Sequence, residues 1–129
     1  MIAVDTSAII AIALAEPEAE RFDHVLSTES SIIIGIPTLL EARMVLAGRF
    51  GPTTAEKAMA MLADGWQVIP FTTDHLTAAT HAFDRFGKGR HPARLNYGDC
   101  MAYAVAEVAR CPLLYKGDDF ARTDIVAAA

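Results

Sequence analysis

Strands alternating with helices along the whole sequence predict an α/β domain on a mostly parallel sheet, because each crossover helix must pack back onto a sheet face. Three observations carry that expectation. The run Ile32-Ile33-Ile34-Gly35-Ile36 is too continuously apolar for a strand with one wet face, so it reads as a central strand buried on both sides. Further short apolar runs, Ile2-Ala3-Val4, Trp66 to Phe71 and Pro112 to Tyr115, are separated by stretches of helical pattern. The chain has 129 residues, 53% of them hydrophobic and 21% charged. That length suits one domain, 1–129, able to bury about two-thirds of its unfolded surface.

Each element follows from local chemistry. Ile2 to Val4 forms the first strand, and Asp5-Thr6-Ser7 offers carboxylate and hydroxyl groups that suit a helix N-cap. A helix over Ala8 to Ala15 yields at Glu16-Pro17, and a second runs over Glu18 to Leu26 before the polar segment Ser27 to Ser31. After the central strand, Pro37-Thr38 opens a helix to about Phe50. Gly51-Pro52 breaks it, and a further helix covers Thr54 to Ala63. Trp66 to Phe71 is a strand and Asp74 to Phe86 a helix. Asn96 to Arg110 is the last helix, Pro112 to Tyr115 a strand, and Asp124-Ile125-Val126 a short final strand.

The composition excludes several classes. The apolar stretch Met1 to Ala15 is interrupted by Asp5 and followed by acids, so it cannot span a bilayer, and it lacks the basic start of a signal peptide. A cytoplasmic protein without membrane attachment is the expectation. Cys100 and Cys111 are eleven residues apart, about 16 Å if one helix carries both, too far for a disulfide. The net charge of −5 argues against nucleic-acid binding by bulk electrostatics. Positive charge is nevertheless concentrated: Arg85, Lys88, Arg90 and Arg94 fall within ten positions, in a segment with two glycines, a proline and His91 that reads as a basic loop.

Four acids sit where strands lead into helices: Asp5, Glu41, Asp99 and Asp118. Each has a local explanation. Thr38-Leu39-Leu40-Glu41 spells a capping box, as does Thr53-Thr54-Ala55-Glu56, and Asn96-Tyr97-Gly98-Asp99 spells an Asn cap with an acid favourable to the helix dipole. Collectively they should converge, because parallel α/β sheets gather such junctions at one edge. Two carboxylates about 4 Å apart repel by roughly 4 kcal/mol at an effective dielectric of 20, which raises their pKa values or calls for a cation. Hard oxygen donors favour Mg²⁺ or Mn²⁺, and His24, His75, His81 and His91 form no metal-binding pair. A hard cation at an open carboxylate site suits hydrolysis of phosphate esters or phosphodiesters. No serine-histidine-aspartate set or phosphate loop competes.

Val4-Asp5-Thr6-Ser7-Ala8, Glu41 after Ile32 to Pro37, Leu95 to Cys100, and Leu113 to Phe120 together make the chain resemble the PIN-domain nucleases. Within them it resembles the VapC-type toxins of type II toxin–antitoxin pairs. The resemblance covers essentially the whole chain and implies a three-layer α/β/α fold with four to five strands. It implies that Asp5, Glu41, Asp99 and Asp118 hold the metal, with Asp119 as a substitute for Asp118 and Thr6 and Ser7 as supporting hydroxyls. It further implies Mg²⁺- or Mn²⁺-dependent cleavage of RNA, commonly tRNA or rRNA, a homodimer, and inhibition by a cognate antitoxin protein. Arg85, Lys88, Arg90, Arg94 and Lys116 are the candidate RNA contacts.

Two other readings compete. In a phosphatase of haloacid dehalogenase type Asp5 would be a covalent nucleophile, but the second acid expected two residues later is Ser7. In a receiver-like signalling domain a mid-sheet Asp would accept phosphate, and none follows Ile32 to Ile36.

Overall fold

A computed structural model describes residues 1–129. The first strand, β1 (Ile2–Val4), leads into α1 (Thr6–Ala13) and α2 (Ala19–Thr28). Then come β2 (Ile32–Gly35), α3 (Ile36–Phe50), α4 (Pro52–Leu62), β3 (Gln67–Ile69) and α5 (Thr73–Phe86). The chain ends with α6 (Tyr97–Ala109), β4 (Leu113–Leu114) and one 3₁₀ turn, Phe120–Arg122. Every strand pairing is parallel, in the order β3-β2-β1-β4.

Alternation of side chains along the strands divides the core into two layers. Ala3, Ile33 and Leu113 face the cluster formed with α5 and α6, which includes Ala82, Phe86, Tyr103 and Val105. Ile2, Val4, Ile34 and Leu114 face the other cluster, where Ile9, Phe22, Leu46 and Met59 come from α1 to α4. The sheet therefore carries helices on both faces, as the unbroken apolar spelling of β2 requires.

Two expectations are corrected. No strand forms over Asp124-Ile125-Val126; the C-terminal segment makes one isolated bridge, Leu113 to Ala127, so the sheet has four strands. Two β-branched residues, Ile125 and Val126, are too few to specify a strand when a single side of β4 is left to pair. The capping box at Thr38 also fails. Pro37 lies in the first turn of α3, so the helix begins at Ile36 with Gly35 as N-cap, and Glu41 lies in the second turn, free of a capping role. Thr38 is buried instead. The same correction applies at Thr53, because α4 begins at Pro52 behind Gly51.

The order β3-β2-β1-β4 puts a switch point between β1 and β4. From β1 the chain moves one way to β2 and β3, and then returns across β1 to β4. At such points the loops after adjacent strands part and leave a crevice at their carboxyl ends. Asp5 follows β1 there, and Tyr115 to Asp119 follow β4.

Gly35 sets how closely α6 approaches the end of β2. A Cβ at that position would lie 2.6 Å from Val105 Cγ2. Gly35→Ala is expected to destabilise the protein by about 1–3 kcal/mol through overpacking. Val105→Ala in the same chain should recover part of that loss, both read by chemical denaturation.

Candidate active site

Asp5 follows β1 and caps α1. Its Oδ2 accepts from the Ser7 backbone N–H at 3.0 Å and from the Ser7 hydroxyl at 2.6 Å. Ser7 Oγ in turn accepts from the Lys116 backbone N–H at 2.9 Å, and the Asp5 N–H donates to the Leu114 carbonyl at 2.9 Å. One serine thereby links the loop after β1 to the loop after β4. Asp5 is nonetheless 4% exposed. Burial pushes its carboxyl up to about 6, opposed by the two bonds from Ser7 and reinforced by the nearby charges of Asp99 and Glu41.

Glu41 is held by Thr6, the next residue along α1, whose hydroxyl donates to Oε1 at 2.6 Å. That short, charge-assisted bond is the main one Thr6 makes, since the Thr38 carbonyl is 3.4 Å away. Asp99 forms the reciprocal cap expected with Asn96: its Oδ2 accepts from the Asn96 N–H at 3.0 Å, while Asn96 Oδ1 accepts from the Asp99 N–H at 2.9 Å. Its carboxyl is also raised, by desolvation first, then by the charges of Asp119 and Glu41.

These acids line one cavity of about 460 Å³, with Thr6, Ser7, Glu16, Asn96, Lys116 and Gly117 also in its wall. In each acid one carboxylate oxygen is tied by a protein donor and the other makes no hydrogen bond within the chain. Such an oxygen set suits a hard divalent cation. No three of the acids lie close enough together to hold one ion jointly in this arrangement. The donors fit in chemistry, and their side chains stand apart. A larger cavity of about 610 Å³ lies at the opposite, amino-terminal ends of β2 and β3, lined by Ser31, Ile32, Gly65 and Trp66. It is away from the helix N-termini and contains none of Asp5, Glu41 and Asp99, so the smaller cavity is the better candidate.

Neither Asp118 nor its alternative Asp119 is brought into this wall. Gly117, at φ +99°, turns the chain after Lys116, and both following acids are exposed. Of the two, Asp119 is the one whose charge acts on Asp99. Asp119 stands at the N-cap position of the 3₁₀ turn, but its side chain makes no capping hydrogen bond.

The basic candidates separate as well. Lys116 is not a free cation: its ammonium meets Glu16 at 2.8 Å and Glu18 at 3.3 Å, which raises its pKa. Arg85 pairs with Asp124 at 3.2 Å and lies 4.6 Å from the centre of the Phe86 ring. Lys88, Arg90 and Arg94 are exposed and make no ion pair, with Arg90 5.6 Å from the Phe83 ring centre. Their loop is ordered by Leu95, which is fully buried and bonds back to Phe86 and Lys88 through its backbone.

Sequence patterns missed Glu16 and Asn96 as members of the wall. Glu16 reaches Lys116 across a separation of 100 residues, which no local spacing reveals. Asn96 was legible only as a cap.

The raised Asp5 carboxyl gives stability a pH dependence of definite sign. Between the ordinary aspartate value of 3.8 and about 6 the native protein keeps a proton that the unfolded chain has released, so stability falls as pH rises through that window. Above it the full penalty is on the order of 2–3 kcal/mol. Asp5→Asn keeps an oxygen acceptor for Ser7 and removes the charge. In chelator-treated protein it should therefore melt higher than the unaltered chain at about pH 7, with the gap closing towards about pH 4. A lower melting temperature at neutral pH would contradict desolvation as the cause.

Comparison with known proteins agrees with this geometry. The PIN domain family matches residues 2–126. Ribonuclease VapC30 of Mycobacterium tuberculosis is 38% identical, over 98% of this chain and 97% of its own length. Ribonuclease VapC36 of the same organism is 42% identical, over 95% of this chain and 89% of its own. Among solved structures, Mycobacterium tuberculosis VapC20, described as a sarcin-ricin loop cleaving toxin, superposes with a TM-score of 0.77 at 20% identity, covering 98% of this chain and 97% of that one. VapBC2 from Rickettsia felis, bound to a DNA fragment from its promoter, gives 0.77 at 13% identity, covering 98% and 96%. Those two structural likenesses speak for the fold, and the sequence matches for the family. Resting on residues 2–126 and on relatives aligned over nearly their whole length, the conclusion is that this chain belongs to the PIN-domain family, among the VapC ribonucleases.

Proposed function

We propose that the chain is a Mg²⁺- or Mn²⁺-dependent endoribonuclease that hydrolyses RNA phosphodiester bonds, the toxin of a toxin–antitoxin pair held inactive by a cognate antitoxin. The observation that carries this reading is the meeting of Asp5, Glu41 and Asp99 in one cavity, each with a carboxylate oxygen unused by the protein. Ribonuclease activity among relatives aligned over nearly the whole chain supports it.

Asp5, Glu41 and Asp99 are the residues that would hold the cation. When bound, the cation would lower the pKa of a water and offset charge on the phosphoryl group. Asp5 is the buried member, fixed by Ser7, and must lose its proton before it can serve as a ligand. Glu41 is presented by Thr6 and Asp99 by the backbone of Asn96, so all three carboxylates enter the cavity already oriented. Ser7 occupies the position where a haloacid dehalogenase phosphatase would carry its second acid, and it is committed to Asp5.

RNA is the proposed substrate, with tRNA or rRNA as the class. Lys88, Arg90 and Arg94 are the free cations available for its phosphates. Lys116, bound to Glu16 and Glu18, would shape the cavity wall instead. An acidic cavity also suits a basic side chain of an antitoxin, and the proposed assembly is a homodimer with that partner. No helix is long and apolar enough to cross a membrane, and a cytoplasmic location accords with the proposed substrate.

Asp99→Asn should retain the circular dichroism spectrum and lose cleavage of RNA by at least about a hundredfold, as should chelation of divalent metal in the unaltered chain. Undiminished cleavage in either case would remove the acidic cavity as the active site. Asp119→Asn should reduce cleavage more than Asp118→Asn, since Asp119 is the one that acts on Asp99. Parallel rate measurements on the two variants decide between them.

A further inference from the structure

Gly98 is the second residue of α6, in a helical turn where alanine is ordinarily more stable than glycine. It is not among the residues with positive φ, so the backbone itself does not ask for glycine here. The reason lies across the cavity. A Cβ built on Gly98 would overlap Glu41 Oε2 and lie 2.9 Å from Cδ and 3.0 Å from Oε1 of the same carboxylate. No other group lies among its three nearest atoms. The carboxylate thus occupies the space that a side chain at Gly98 would take, Oε2 foremost, while Thr6 holds Oε1. This seat also places the anion against the first turn of α6, where the helix dipole favours negative charge.

We propose that Gly98 is a positioning residue for Glu41: its missing side chain is the floor on which the Glu41 carboxylate is set beside Asp99. The inference rests on the nuclease reading for its consequence in activity, though the seat itself is independent of that reading. Any side chain at 98 displaces the end of a flexible glutamate rather than backbone or core, so the fold tolerates the change and the site does not. The glycine gives up local helix stability for the placement of a charge.

The test compares Gly98→Ala with Gly48→Ala, a helical glycine of α3 whose Cβ would meet nothing within 4 Å. In metal-free protein Gly98→Ala should melt no lower than the unaltered chain, while its crystal structure shows Glu41 shifted and its bond to Thr6 broken. Calorimetric Mn²⁺ affinity should fall by about tenfold or more, as losses of groups that orient ligands do. Cleavage of a single-stranded RNA should lose kcat by about the same factor with KM little changed. Gly48→Ala should melt somewhat higher than the unaltered chain, as alanine does in an unobstructed helix, and match it in the other three measurements. Adding Glu41→Asp to Gly98→Ala shortens the displaced side chain, so the pair should lose less than the two single losses combined.

The proposal is overturned if Glu41 stays in place in the Gly98→Ala crystal, if Mn²⁺ affinity is unchanged, if the losses simply add, or if melting collapses together with activity. Should the unaltered chain neither bind Mn²⁺ nor cleave RNA, the nuclease reading fails. The crystal structure of the metal-free variant still decides whether Gly98 seats Glu41.

Discussion

The structure depends on a buried carboxylate at the end of β1, one of the two inner strands of the sheet. Asp5 follows a strand that is buried on both faces and paired with β2 on one side and β4 on the other. A charge so placed is costly, and the carboxyl responds by rising to about 6. The cost is limited by Ser7, which supplies both a backbone and a hydroxyl donor to one oxygen and reaches the loop after β4 through the Lys116 backbone. The same serine therefore offsets the burial of Asp5 and fixes the two loops that flank the switch point. Geometry at the site and cohesion at that edge of the sheet have one source.

Around that anchor the remaining acids are held by single donors from neighbouring elements. Thr6 reaches Glu41 from α1, and Asn96 holds Asp99 at the start of α6. Each donor uses one oxygen and leaves the other unbonded, so the carboxylates are oriented without being neutralised. Lys116 supplies the nearest positive charge, but Glu16 and Glu18 hold it at the rim. The cavity thus keeps an excess of negative charge that an external cation or a basic partner group can relieve.

Capping and chemistry turn out not to exclude one another. Asp5 and Asp99 both perform the local cap their sequence context suggests, and both enter the cavity, because a carboxylate has two oxygens and a cap consumes one. Glu41 differs. Its capping box is only a coincidence of spelling, since Pro37 starts the helix earlier and leaves Thr38 buried inside it. The residue with the strongest local alternative therefore proved the one with no local role.

The sequence by itself determined the layering and the parallel sheet, and it singled out Asp5, Glu41 and Asp99, which the fold gathers into one cavity. Continuous apolar strands demand helices on both faces, and strand-to-helix junctions of a parallel sheet gather at one edge. Tertiary structure decided what depends on residues far apart in the chain. It took Lys116 out of the free cations through acids 98 and 100 positions away, and it left Asp118 and Asp119 both exposed, outside the wall that Asp5, Glu41 and Asp99 line. It also reduced the expected fifth strand to one bridge. Local spelling records caps, periods and turns, whereas ion pairs and close approaches between elements are settled only when packing fixes distances in space.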